Sequence, residues 1–409
     1  MKKYRTAITG IGVIAPNGTG IHQYWEALKA GESGITRITA FNPDPFPSQI
    51  AGEIKGFQPD DFMDKKSCRR MSRTSQFAVA CARMALDNAQ LAPQDISEDH
   101  GQIILGVSTS AMELIERQHT VLASKGPSKI LPFGILAATP HSTTGEVIAA
   151  LGLNVPATTL ATGCASGLDA IGTGWKKIST GEAEIVLCGG ADAPITPLIL
   201  AGLCAANIVS RHNNPPEEAS RPFDLTRDGG VLAEGGGILI LEAMDRARMR
   251  GAPIYAELVG YGQYGDGKEK KTGNGLRHTM RQALYTAGLS TGAIGHISAH
   301  APSDPLLDSV ETEAIKEIFG PRAYRIPLTS IKSMIGNPFG SIGVFQTAAA
   351  AMSLQEGVIP PTINYHHPDP NCDLDYTPLF ARRFNAEYAL INSHGFGGSN
   401  ASLLIKKAP

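Results

Sequence analysis

Short unbroken apolar runs recur along the chain. Residues 103–107, 185–190, 237–241, 297–300 and 389–392 are apolar or small at consecutive positions rather than at alternate ones. That pattern predicts strands covered on both faces. Thr6-Ala7-Ile8-Thr9-Gly10 predicts a first strand. Between these runs, residues 74–89, 167–179, 274–287 and 344–355 predict helices. Strands alternating with helices imply an α/β fold with a mostly parallel or mixed sheet. The best turn between two halves is Arg250-Gly251-Ala252-Pro253, which gives expected domains 1–250 and 251–409. Residues 183–191 and 387–398 echo one another, each with a charged start, an apolar strand and then glycines. The echo reads equally as internal duplication or as coincidence.

The chain has 409 residues, with 42% hydrophobic and 18% charged, enough to build a large core. Net charge is −2 and no run of five like charges occurs, which argues against nucleic acid as a partner. The nearest cluster, Lys268-Glu269-Lys270-Lys271, reads as a solvated loop. No apolar run reaches the roughly 18 residues of a membrane span, and the basic start Met1-Lys2-Lys3 precedes a strand rather than a signal-peptide core. Six cysteines without C-x-x-C spacing argue against a zinc site or a disulfide framework, so a cytoplasmic protein without a metal is expected.

One cysteine has a distinctive setting. Cys164 follows an extended stretch, opens a predicted helix and is flanked by Gly163 and Gly167. A helix start offers partial positive charge and free N–H groups, which favour a thiolate and a nearby oxyanion. The alternative is a small buried apolar residue, the reading given to Cys68, Cys81, Cys188 and Cys204. His300 ends a strand and opens the loop Ala301-Pro302-Ser303-Asp304-Pro305, a place where either a catalytic or an incidental histidine occurs. Asn337 precedes Pro338 and reads as an N-cap or as an amide donor. Lys332 is either a surface lysine or a partner of Glu311 or Asp308. Residues 392–400 form a glycine-rich turn after a strand, either a simple turn or an oxyanion cradle with an aromatic gate at Phe396.

Taken together, these blocks resemble the 3-oxoacyl-acyl-carrier-protein synthase II family, the elongating ketosynthases of fatty acid and polyketide synthesis. The likeness starts at Thr9-Gly10-Ile11-Gly12-Val13 and runs through Ser220-Arg221-Pro222-Phe223-Asp224, Arg227-Asp228-Gly229, residues 254–260 and Pro360-Pro361-Thr362-Ile363-Asn364. It closes at Gly397-Gly398-Ser399-Asn400. It implies a thiolase-like fold of two similar αβαβα halves in five layers, and a homodimer. It further implies no bound cofactor, with substrates carried on the phosphopantetheine arm of an acyl carrier protein. By the same resemblance Cys164 is the acyl-accepting nucleophile, His300 the first active-site histidine, Lys332 the organising lysine and Glu311 its acidic partner. Phe396 is the gate, and its N–H joins that of Cys164 in the oxyanion hole. The implied reaction is ping-pong, with acyl transfer to Cys164 followed by decarboxylative attack of malonyl carrier protein.

The departures cluster at one pocket mouth. The family's second histidine is Asn337, which donates a hydrogen bond but carries no proton. A Cys-His-Asn set does occur in related type III synthases. Where the family has Gly-Thr-x-Thr after the first histidine, this chain has Ala301, Pro302 and Asp304, and the first phenylalanine of the Phe-Gly-Phe turn is His394. Pro302, Asp304 and His394 are therefore expected along an altered pantetheine channel. Two alternatives remain, a non-decarboxylating acyltransferase using Cys164 and a chain-length-factor-like partner of a heterodimer. Cys164 argues against the second. A thiolase would need a second C-terminal cysteine, and Cys372 lies in a Pro/Asp-rich loop.

Overall fold

Two sets of five strands repeat one topology. The first set is β1 (Thr6–Ala15), β2 (Gly101–Gly106), β3 (Ala157–Leu160), β4 (Ile185–Asp192) and β5 (Gly235–Ala243), arranged in the order β1-β5-β4-β2-β3. The second is β6 (Ala256–Gly265), β7 (Ile294–Ser298), β8 (Leu328–Thr329), β9 (Tyr388–Gly395) and β10 (Ser399–Lys407), arranged in the order β6-β10-β9-β7-β8. In the first set β2 runs parallel to β3 and β4, and β5 runs antiparallel to β4 and β1. The second set repeats this around β7 and β10. The segments that echo in sequence are β4 and β9, the fourth strand of each set. The sets meet where Thr6 pairs with Leu258 and Ile8 with Ala256, so they form one eleven-stranded sheet that includes the short strand Gly18–Thr19. The computed structural model describes residues 4–96, 98–267 and 272–408; the cluster 268–271 and the basic start lie outside them.

Helices complete five layers, the thiolase-like arrangement. They are α1 (Arg73–Asn88), α2 (Ser166–Thr180), α3 (Asn274–Ala287), α4 (Pro305–Phe319) and α5 (Ile342–Glu356). One outer layer is α1 on β1 and β5, and the other is α3 on β6 and β10 with α4 beside it. Between the two strand sets, α2 packs on β2 and β4, while α5 packs on α2, β9 and β10. Every residue of α5 from Ile342 to Leu354 is buried, as expected of a helix enclosed on all sides. Its Gln346 amide donates to the carbonyls of Ala299 (2.8 Å) and Asn392 (3.1 Å), fastening α5 to both edges of the site.

The middle helices approach so closely that side chains are excluded. A Cβ on Gly167 would lie 2.4 Å from the Gly340 carbonyl oxygen, and one on Gly343 would lie 2.6 Å from the Leu168 nitrogen. Small residues at these crossings bring the start of α2 onto the turn that precedes α5.

Candidate active site

Cys164 sits in a single 3-10 turn, Gly163–Ala165, directly before α2. The turn is fastened from both sides. The Ser166 hydroxyl donates to the Gly163 carbonyl at 2.6 Å and accepts from the Thr162 N–H at 2.8 Å. The Ser393 hydroxyl donates to the Cys164 carbonyl at 3.0 Å. Gly163 adopts φ +61, which favours glycine, and a Cβ there would press on Phe396 backbone atoms at 3.2–3.3 Å. One helix turn along, Asp169 accepts from Thr162 (2.5 Å), from the Tyr261 hydroxyl (2.6 Å) and from Gln263 (3.0 Å), joining α2 to β6.

Cys164, His300 and Asn337 converge on one cavity of about 180 Å³, which Pro302, Asp304, His394 and Phe396 also line. Much of its remaining wall is apolar, with Leu203, Ile208, Val209, Val231, Leu232 and Leu307. Asn337 Nδ2 donates to Cys164 Sγ at 3.7 Å. Its Oδ1 is buried without a partner among the described residues.

Burial works against the thiolate expectation. Cys164 is 1% exposed, and burial pushes its thiol up to about 11 against the opposing pull of the Asn337 amide, the Lys332 ammonium and the Phe396 N–H. Removal from water outweighs the helix terminus, so the resting group is a thiol. The N-cap reading of Asn337 fails. The residue at the N-cap of α5 is Ser341. Asn337 instead bridges to the segment before β5, its N–H donating to the Val231 carbonyl (2.7 Å) and its carbonyl accepting from Ala233 (3.2 Å).

Behind His300 lies a buried polar support. The Glu311 carboxylate accepts from the N–H of His300 (3.0 Å), the N–H of Ala301 (2.8 Å) and the Asn392 amide (3.1 Å). Burial raises its pKa, with those donors opposing. Lys332 forms no ion pair within 4 Å of Glu311 or Asp308 among the described residues; its ammonium donates to the His300 carbonyl. Burial lowers it to about 8, and Glu311 acts in the other direction. His300 is held well below the ordinary imidazole range, first by burial and then by Lys332 and His394, so it is neutral. Asp308 belongs elsewhere. It accepts from the Phe223 N–H (2.9 Å) and faces Arg227 at 3.6 Å, and Arg227 also pairs with Asp369 at 2.7 Å. That cluster braces the loop after His300, where Ser303 adopts φ +71.

Asp304 is the N-cap of α4, accepting from Leu306 and Leu307 at 2.9 Å each, while still lining the cavity. Phe396 opens the three-residue hairpin loop between β9 and β10. Its ring is 52% exposed and meets Phe339 edge-on at 5.7 Å.

Three contributors escaped the sequence reading. Phe339 faces Phe396 from a backbone with φ +45, unusual for a bulky residue. Asp192, at the end of β4, accepts from the N–H groups of Thr109 (2.8 Å), Ser108 (2.9 Å) and Gly340 (2.8 Å), and burial raises it to about 6. Its place after Gly189-Gly190 at a strand end was the available signal. Lys65, Lys66, Arg69, Arg70 and Arg117 line a basic groove; the stretch Lys65-Lys66-Ser67-Cys68-Arg69-Arg70 was the available signal, and Arg117 joins it from a separate helix, Met112–Lys125.

The comparisons agree along the whole chain. Residues 3–247 match the family model "Beta-ketoacyl synthase, N-terminal domain" and residues 255–366 match "Beta-ketoacyl synthase, C-terminal domain". The chain is 39% identical over 411 residues to 3-oxoacyl-[acyl-carrier-protein] synthase 2 of Synechocystis, covering 100% of this chain and 99% of that one. It is 36% identical to the protein of that name from Coxiella burnetii, again covering 100% and 99%. Among solved structures, the ishigamide ketosynthase/chain length factor superposes with a TM-score of 0.94 at 33% identity, covering 100% of both chains. AntDE:AntF, a type II polyketide synthase acyl-carrier protein in complex with its ketosynthase, gives 0.91 at 31%, with the same coverage. Similarity of this extent makes the chain a member of the beta-ketoacyl synthase family.

Proposed function

We propose that this beta-ketoacyl synthase carries an acyl chain on Cys164 and extends it by decarboxylative condensation with malonyl carrier protein. The observation that carries the reading is the meeting of Cys164, His300 and Asn337 on one largely apolar cavity, with the Asn337 amide on the sulfur. In the first half-reaction the thiol attacks an acyl thioester borne on a phosphopantetheine arm. The N–H groups of Cys164 and Phe396 hold the oxyanion, and the pantetheine thiol leaves with the proton. In the second, malonyl thioester loses carbon dioxide. The neutral imidazole of His300 and the Asn337 amide each donate one hydrogen bond to its carbonyl oxygen as enolate charge develops. The carbanion then attacks the acyl carbon, and Cys164 departs as a thiolate that takes a proton from solvent. Lys332 and Glu311 hold His300 in place. Pro302, Asp304 and His394 border the arm.

Residues 1–250 supply the nucleophile in this scheme and 251–409 supply its partners. The basic groove around Lys65 and Arg70 offers positive charge to an anionic partner surface. Ile135, Leu136 and Leu198, 71%, 68% and 61% exposed, suit a dimer face, whether homodimeric or shared with another ketosynthase subunit. Six unpaired cysteines suit a reducing cytoplasm. Among the described residues no helix is long and apolar enough to cross a membrane.

The test mixes the protein with a panel of acyl and malonyl carrier proteins and follows adduct mass and carbon dioxide release. Cys164→Ala should abolish the adduct while keeping the parental melting curve; an adduct that persists refutes the assignment. Asn337, which carries no proton, favours one second reading, an acyltransferase that passes the acyl group on without decarboxylation. Turnover of the acyl adduct with no carbon dioxide released identifies it.

A further inference from the structure

The site as described contains a thiol that must lose a proton and no group yet assigned to receive it. Burial and Lys332 keep His300 from taking one, and an amide cannot. His394 stands on the same cavity wall, its ring 6.0 Å from that of His300 at 68°.

Its tautomer is set by its neighbours. His394 Nδ1 lies 2.7 Å from Asn400 Oδ1. The other end of that amide faces three acceptors, Asp266 Oδ2 at 2.7 Å, the Gly398 carbonyl at 3.0 Å and the Tyr264 carbonyl at 3.4 Å. Three oxygens require the donor nitrogen there, so the atom facing His394 is the amide oxygen, which accepts only. The imidazole proton therefore sits on Nδ1, and Nε2 keeps a free lone pair with no hydrogen bond from any described residue. Space is made for this chain of contacts. A Cβ on Gly275 would lie 2.0 Å from Asn400 Nδ2 and 2.5 Å from Asp266 Oδ1, and the Gly275 N–H itself donates to Asp266 at 2.7 Å.

We propose that His394 Nε2 is the proton acceptor of thioester exchange at Cys164, oriented by Asn400 and Asp266; the assignment rests on the acyl-transfer function proposed above. As the Cys164 sulfur bonds to the acyl carbon, its proton passes to Nε2. As the bond from that carbon to the pantetheine sulfur breaks, the imidazolium returns the proton to the departing thiolate. No other reactant is needed. The charged groups around the ring are Asp266, whose Oδ2 lies 4.0 Å from Nδ1, and Lys332 behind His300. His300, Cys164 and Asp304 face it across the cavity.

The experiment measures single-turnover acylation from an octanoyl carrier protein by rapid-quench intact mass, for the parent, His394→Phe and His394→Gln. Assays span about pH 5.5 to about pH 9, with melting curves for each protein. The parent rate should fall with decreasing pH through one imidazole ionisation. Both variants should be slower by about 10² or more and should lose that ionisation, rising log-linearly with pH. A folded variant with the parental rate, or with the inflection retained, overturns the proposal. Histidine nitrogen NMR on the parent is independent of how the variants fold. A proton on Nδ1 is expected, and a proton on Nε2 refutes the orientation argued here. A parent that forms no adduct at Cys164 sinks the function itself, whereas an adduct with an unchanged His394→Phe profile sinks this inference alone.

Discussion

Asn337→Asp replaces the amide on Cys164 with a carboxylate of nearly the same shape. Two unit charges at the 3.7 Å separation of Nδ2 and Sγ repel by about 4.5 kcal/mol at an effective dielectric constant of about 20. That corresponds to about three pK units on the thiol. The parent thiol already stands at about 11, so within the usual assay range both proteins are mostly protonated. Because the thiolate is the reacting form, each should be alkylated about tenfold faster per pH unit. The variant should run up to about 10³-fold slower at any one pH. Protonation of the new carboxyl would relieve the repulsion, so the difference should be largest at the alkaline end of the range. Alkylation with neutral iodoacetamide from about pH 7 to about pH 10, followed by mass mapping of the Cys164 peptide, reads the effect directly. A variant within about threefold of the parent refutes the placement of Asn337 on the sulfur. A parent rate that levels off below about pH 8 refutes the argument that burial dominates the thiol.

Gly167→Ala would drive a methyl to 2.4 Å from the Gly340 carbonyl oxygen; a loss of about 1–3 kcal/mol in urea unfolding is expected, with slower acylation because the nucleophile's helix must shift. Arg227→Met would strip buried Asp308 and Asp369 of their cation. It should cost about 3–5 kcal/mol in the same assay, while the iodoacetamide profile of Cys164 stays close to parental in whatever fraction remains folded.

The strands buried on both faces, β1, β4, β5 and β9, were readable because their apolar runs are consecutive. β3 and β8 were not, because they are four and two residues long and owe their pairing to neighbours distant in sequence. Helix α5 was legible as an apolar stretch, but its place between two strand sets depends on the Gly167 and Gly343 crossings and the Gln346 hydrogen bonds, which no periodicity displays. At the site, Cys164, His300 and Phe396 were singled out from their turns and motifs, and they line one cavity. Sequence displays the helix start that favours a thiolate but not the depth of burial that opposes it. Lys332 was assigned a carboxylate partner because charge pairing is the default expectation for a buried lysine. Its actual acceptor is a main-chain carbonyl, which no side-chain pattern reveals.

The contact of Gly167 with Gly340 brings the start of α2 against the turn before α5 backbone to backbone. The backbones that carry Cys164 and Asn337 are therefore set by main chain against main chain, and only the rotamers of those two side chains remain to adjust the distance between sulfur and amide. A ketosynthase built this way should accept new substrates through residues such as Leu203, Leu307 or Pro302, which merely edge the chamber. It should resist almost any alteration at the seam itself.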